Sequence, residues 1–189
     1  MNETIALLLR RRSVPPQTMA GPGPDAGELE TLLRVASRVP DHGKLAPWRF
    51  IVFAGDARAR AGRIALDIRL RDAPDLDEEA RKSELERFSR APLVVAVVSR
   101  AAPHVKIPEW EQVFSAGNCC MTMIIAANAL GFAATWITEW PAYDARFRAG
   151  IGLAAHERIA GFIQIGRPTI AIEDRPRPAL ADIVTYFPA

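Results

Sequence analysis

Thiols, lysine and histidine are all scarce in this sequence. Its two cysteines are the neighbours Cys119 and Cys120, whose side chains diverge on a helix and supply neither a disulfide framework nor a metal-ligand spacing. A reducing cytoplasm is the expected home. Lysine occurs only at Lys44, Lys82 and Lys106, so arginine carries nearly all the positive charge, with a planar fork suited to phosphate and carboxylate. Also missing are a Gly-Lys-Ser/Thr phosphate loop, a nucleophile elbow, a Gly-x-Gly-x-x-Gly turn after a strand and any metal-spaced His or Cys cluster. A chain without an evident side-chain catalyst can still be an enzyme if a cofactor performs the bond-making. The net charge is only +2, with Asp75, Asp77, Glu78 and Glu79 interspersed among the basic residues, so no nucleic-acid partner is expected. No membrane span is expected either, because the longest weakly charged stretch, Glu109 to Leu130, is interrupted by Gln112, Ser115, Asn118, Thr122 and Asn128. The start, MNETIALLLRRRS, has its charges after a short apolar run, the reverse of a secretory signal, and reads as a first helix.

What is present describes an ordinary folded protein. A length of 189 residues with 49% apolar and 24% charged residues suits one domain, 1–189, with a real core. Ile5, Leu8 and Leu9 mark an apolar stripe on a helix from Glu3 to Arg11, which must stop before the proline-rich stretch Val14 to Pro24. Asp25 and Glu28 form a capping-box start for a second helix, with Leu29, Leu32, Leu33 and Ala36 at helical spacing up to about Val39. After the loop Asp41 to Pro47, Trp48 to Ala54 reads as a strand. Asp56 to Arg71 and Leu76 to Arg90 read as solvated helices. Pro92 to Ser99 is a run of β-branched residues expected at the centre of a sheet. Glu109 to Leu130 is a long helix, apolar on most sides, that a domain of this size can hardly cover; a partner subunit is the obvious cover. Gly131 can cap it, and Phe132 to Thr138, Tyr143 to Gly150 and Arg158 to Ile165 read as strand, helix and strand. From Arg167 the tail, with Pro168, Pro176, Pro178 and Pro188, reads as an extended arm.

Two stretches could carry chemistry. Arg10, Arg11, Arg12 and Ser13 at a helix-to-loop junction can grip a dianionic phosphate through charge-assisted hydrogen bonds, or can serve only as cations at a helix C-terminus. Arg38 to Lys44 is rich in donors and lies between helix and strand, where a plain turn is the competing reading. His42 can be a ligand contact or an ordinary loop histidine, while His104 and His156 read as surface or capping residues. Trp136 and Trp140 can stack on a planar ligand or fill an interface.

Taken together, these stretches resemble the nitroreductase family of flavoproteins, in its minimal single-domain form. Arg11-Arg12-Ser13 matches the family's N-terminal Arg-Arg-Ser, and Arg38-Val-Pro-Asp-His-Gly-Lys-Leu-Ala-Pro-Trp48 resembles its Ala-Pro-Ser-x-x-Asn-x-Gln-Pro-Trp loop. Trp110-Glu111-Gln112 with Ser115-Ala116-Gly117 resembles the start of the long interface helix, Phe132 to Ile137 the strand beside the flavin, and Gly161 to Pro168 the strand that ends by the phosphate. The resemblance implies an α+β fold: a three-layer α/β/α sandwich with a mostly antiparallel sheet, a long central dimer-interface helix and an extended C-terminal arm. It also implies FMN as cofactor, NADH or NADPH as electron donor, and a homodimer with a shared flavin site. Arg11, Arg12, Ser13, Gly166 and Arg167 would hold the phosphate end. Arg38, Pro40, Asp41, His42 and Lys44 would meet the ring, with Pro40, Asp41, His42 and Lys44 coming from the other subunit. Thr135, Trp136 and Ile137 would line its far side. Lys44 stands where most members have Asn, and Ala46 where most have Gln.

The reading that follows is an enzyme in which hydride reduces FMN, the nicotinamide leaves, and a nitroaromatic, quinone or related small acceptor takes its place. A deiodinase or flavin-cleaving enzyme would need a substrate-covering insertion, and none is evident. A flavin-storing or flavin-sensing module without turnover, and a cofactor-free dimerising protein, are the readings from other classes.

Overall fold

The computed structural model describes residues 1–187; Pro188, read above as part of the tail, lies outside them. Asn2 caps the first helix, α1 (Glu3–Arg10), by accepting from the backbone N–H groups of Thr4 and Ile5. The helix stops one residue earlier than expected, because Arg11 is already extended. Its stripe of Ile5, Leu8 and Leu9 is exposed. In α2 (Ala26–Ala36) the capping box of Asp25 and Glu28 forms as read from the sequence. This helix ends at Ala36 rather than Val39: the Ser37 hydroxyl donates back to the Leu33 carbonyl, and a residue before proline avoids helical geometry.

The remaining elements are β1 (Met19–Ala20), β2 (Trp48–Phe53), α3 (Asp56–Asp72), α4 (Glu78–Glu86), β3 (Leu93–Ser99), α5 (Glu109–Ala129), β4 (Ala133–Ile137), α6 (Ala145–Gly150), β5 (Arg158–Pro168) and the single turn α7 (Leu180–Ile183). Helix α4 is shorter than Leu76 to Arg90, because Asp77 caps its start and Arg87 turns back onto Glu84 at its end. Strand β5 runs past Ile165 because β1 pairs with Arg167 and Pro168. The sequence reading missed β1: two residues in a proline-rich stretch carry no periodic signal, and their partners lie at the far end of the chain.

All strand pairs are antiparallel, in the order β1-β5-β3-β2 with β4 also on β5. Every residue of β3 is buried, as its β-branched run requires. Leu93, Val95 and Val97 face a core built with Leu32 of α2 and Cys119, Met123 and Ala127 of α5. Val94, Ala96 and Val98 face a second core of Phe53, Phe88, Phe147 and Phe162, closed by α3 and α6. Strand alternation thus sends one apolar run into two cores, giving the α/β/α sandwich. Each large side chain so buried contributes about 1.5 to 3 kcal/mol. Helix α5 buries one face against the sheet, yet Trp110, Val113 and Phe114 are 60%, 45% and 64% exposed. Among the described residues no helix is long and apolar enough to cross a membrane.

Candidate functional site

The extended chain after α1 places the arginines. Ser13 bridges to Ala134 of β4, and Val14 is buried with Met19, Ala91 and Ala133. Arg11 and Arg12 thereby face an open cleft of about 320 Å3, lined also by Arg10, Asn128, Phe132 and Ile172. Arg167 places its guanidinium 4.2 Å from the centre of the Phe132 ring, one of the residues that line this cleft. Within the helix-dipole reading only Arg10 sits in the last turn of α1; Arg11 and Arg12 lie past it. The Nε of Arg11 and Nη1 of Arg12 are buried without a hydrogen-bond partner. Such donors are costly to leave unmatched and point to an anionic acceptor. Asp174 of the tail offers only a distant charge, its carboxylate 3.8 Å from that Nη1. Gly166 is buried, and a side chain there would meet Pro92 and Met19, so the position lets β5 pass closely enough to deliver Arg167.

Beside the cleft runs β4. Thr135 is buried opposite Gln164, and Ile137 packs on the phenylalanine core. Trp136 points to the α5 side and is 40% exposed. Its indole N–H donates to the Ala160 carbonyl at 3.0 Å, and the ring lies over Gly161, where a Cβ would come within 2.1 Å of Nε1. Trp140 is half-buried elsewhere, donating to Glu84 at 3.2 Å between the guanidinium groups of Arg69 and Arg87. With Phe147 also edge-on to it, the ring is tied into the packing between β4 and α4 rather than into the arginine cleft, whose lining does not include it.

The loop from Arg38 to Lys44 is held by side-chain hydrogen bonds at both ends. Asp41 accepts from the Leu45 and Ala46 N–H groups, each at 3.0 Å, and the Ser115 hydroxyl donates to the Pro40 carbonyl. Gly43, Lys44 and Ala46 all have positive φ, at 72°, 56° and 44°. A backbone so disfavoured for lysine and alanine persists only where its surroundings over-determine it, as they do at ligand sites. A Cβ at Gly43 would strike the Ile107 side chain at 2.3 Å. His42 turns Nδ1 to Glu111 at 2.7 Å, which leaves Nε2 for a ligand. Arg38 and Lys44 are exposed, whereas Asp41 uses its carboxylate within the loop.

The two groups of residues lie apart within one protomer. The loop touches α5 at Ser115 and the arginine cleft touches it at Asn128, so the helix rise puts about 20 Å between them. The thiols on the same helix are fully buried, and burial pushes the pKa of Cys119 up to about 12 and raises that of Cys120 as well. Asn128, Phe132, Ile172 and Asp174 were not singled out as site residues from the sequence, and nothing local could have identified them, since chain segments far apart meet there.

Residues 8–167 match the sequence pattern of the Nitroreductase family. YdjA of Escherichia coli (strain K12), which carries the provisional name NAD(P)H nitroreductase, is 33% identical over 98% of this chain and 100% of its own length. A similarly named protein of Haemophilus influenzae is 32% identical over the same shares. Solved structures agree in fold: a nitroreductase-like protein from Bacillus cereus at TM-score 0.83 and 22% identity, covering 99% of this chain and 97% of the other. A nitroreductase with bound FMN from Bacteroides fragilis superposes at TM-score 0.73 and 19% identity, covering 99% and 100%. With an arginine cleft at one end of α5, a strained donor loop at the other and a family match across both, the chain belongs to the Nitroreductase family.

Proposed function

We propose that the protein is an FMN-dependent NAD(P)H oxidoreductase, active as a homodimer, that passes electrons by ping-pong use of one pocket to a nitroaromatic, quinone or related small acceptor. The observation that carries this reading is the pair of buried guanidinium nitrogens on Arg11 and Arg12 that have no hydrogen-bond partner, in a cleft whose Phe132 carries the Arg167 guanidinium. Their donor set fits a phosphate monoester, and the B. fragilis structure of the same fold contains FMN. Bound FMN supplies the two-electron chemistry, which accounts for a chain without a side-chain catalyst.

Arg11, Arg12 and Ser13, with Arg167 delivered past Gly166, hold the phosphate end. Trp136 and the strand from Thr135 to Ile137 form a wall. Arg38, Pro40, Asp41, His42 and Lys44 belong to the ring end, with Asp41 acting through the loop it orders. A cation from Lys44, Arg38 or His42 there stabilises the charge of the reduced cofactor and raises its potential. A second copy is needed to unite the two ends. If two α5 helices pack antiparallel about a two-fold axis, the start of each meets the end of the other. The exposed Trp110, Val113 and Phe114, with Ile5, Leu8 and Leu9 of α1, give that packing an apolar surface. The working form is one folded unit per chain, in the cytoplasm.

Stopped-flow absorbance tests the reading: the visible flavin bands bleach rapidly with NADH or NADPH and return on addition of a nitroaromatic or quinone. Flavin that stays oxidised under NAD(P)H identifies a storage or sensing module instead, and a colourless protein that refuses added FMN overturns the assignment.

A further inference from the structure

The turn that leaves β4 is strained and clamped. Glu139, two residues past Ile137, has φ 50° and ψ −178°, close to a region that only glycine occupies freely. Nothing in the local sequence Ile137-Thr138-Glu139-Trp140 requires this. The carboxylate explains how it is held: Glu139 pairs with Arg87 and, at 3.5 Å, with Arg90, both just beyond the C-terminal end of α4.

Arg87 is itself fixed. It donates twice to Glu84, from Nε and Nη2 at 2.8 Å each, and only 12% of its side chain is exposed. Glu84 is 8% exposed and also accepts from Trp140, the residue that follows the strained one. Burial alone would lower the Arg87 pKa, but the Glu84 hydrogen bonds and the Glu139 charge raise it, so its cation is secure. Arg69 reaches Glu84 at 3.8 Å and flanks the Trp140 ring, but makes no pair with Glu139. The network therefore grips the turn from one side through two arginines and has a third arginine outside the grip.

We propose that Arg87 and Arg90 are positioning residues, which clamp the Glu139 carboxylate so that the turn keeps its glycine-like conformation and the wall Thr135–Ile137 keeps its place in the flavin site. The role assigned to the wall rests on the FMN reading above; the clamp itself does not.

Hydrogen exchange of the 137–140 amides, measured with and without FMN, reads the clamp, and the FMN dissociation constant together with the midpoint potential of the bound flavin reads its consequence. Arg87→Met is expected to speed exchange of those amides at least tenfold, to weaken FMN binding several-fold and to shift the potential. Arg69→Met, outside the grip, lowers thermal stability and leaves both flavin readouts at wild-type values. The decisive pair adds a second change to Arg87→Met. Glu139→Gly restores FMN binding, because glycine takes the conformation unaided; Glu139→Ala, which removes the same charge, does not. Should Arg87→Met fail to fold, Glu139→Gly against Glu139→Ala in the wild-type background gives the same contrast. Equal behaviour of the glycine and alanine variants, or unchanged exchange in Arg87→Met, overturns the clamp. A wild type that binds no FMN overturns the wall's flavin role, while the exchange measurement still decides the clamp.

Discussion

Arg12 and Asp174 make a testable pair, because they act on the same anion with opposite sign. Arg12→Ala removes a charged donor that has no hydrogen-bond partner within the fold, so FMN binding should weaken by about 1.5 to 3 kcal/mol with the dimer intact. Asp174→Asn removes an exposed negative charge 3.8 Å from that donor and should tighten FMN by roughly 0.5 kcal/mol, the scale of exposed pairs. Equilibrium titration of the apoprotein checks both, and unchanged affinity in Arg12→Ala would refute the phosphate role. Glu157 is a purely structural counterpart. Hydrogen bonds from Arg49 at 2.6 and 2.7 Å hold its carboxyl at about 2, below the ordinary 4.5. A depressed carboxyl pKa stabilises the folded state above pH 4.5, and that contribution is lost as pH falls from 4.5 through about 2. Arg49→Met should therefore cost about 1.5 to 3 kcal/mol at neutral pH, with its urea midpoint converging on that of the wild type as the pH drops through this window.

At the level of elements, helix periodicity and caps were readable, while positions set by close approach were not. The capping box of α2 and the double-sided burial of β3 follow from residue types alone. The contact of α3 with α4 does not. It depends on Gly62, where a Cβ would fall 1.9 Å from the Leu85 carbonyl oxygen. Gly62→Ala should gain about 1 kcal/mol of helix propensity and lose more by forcing the helices apart. A net loss of about 1 to 2 kcal/mol is expected, seen as a lower melting temperature; a stabilised variant would show that α4 gives way without cost. Because α4 leads into Arg87 and Arg90, the same variant should also speed amide exchange at the turn after β4.

On the scale of the whole molecule, the separation of the two candidate half-sites along α5 dictates a genetic test. Co-expressed Arg12→Ala and His42→Ala/Lys44→Ala chains should each bind FMN poorly alone. Their heterodimer has one site with both lesions and one with neither, so it should recover about half the wild-type flavin. No recovery in the isolated heterodimer would mean that each protomer builds its own site. The amino-acid sequence by itself determined the order of the longer helices and strands, though not the two-residue β1 or the single turn α7, together with the central strand, the uncovered helix and the runs Arg11–Ser13 and Arg38–Lys44, because periodicity, capping and charge are local properties. Only the tertiary structure decided that Arg167 reaches Phe132, that Asp41 accepts from Leu45 and Ala46, that Trp140 donates to Glu84 and that Glu139 pairs with Arg87. Apart from the Asp41 contact, each of these depends on segments far apart in the chain being packed within hydrogen-bond or van der Waals distance, and no local pattern of residues records which distant neighbour a side chain will meet.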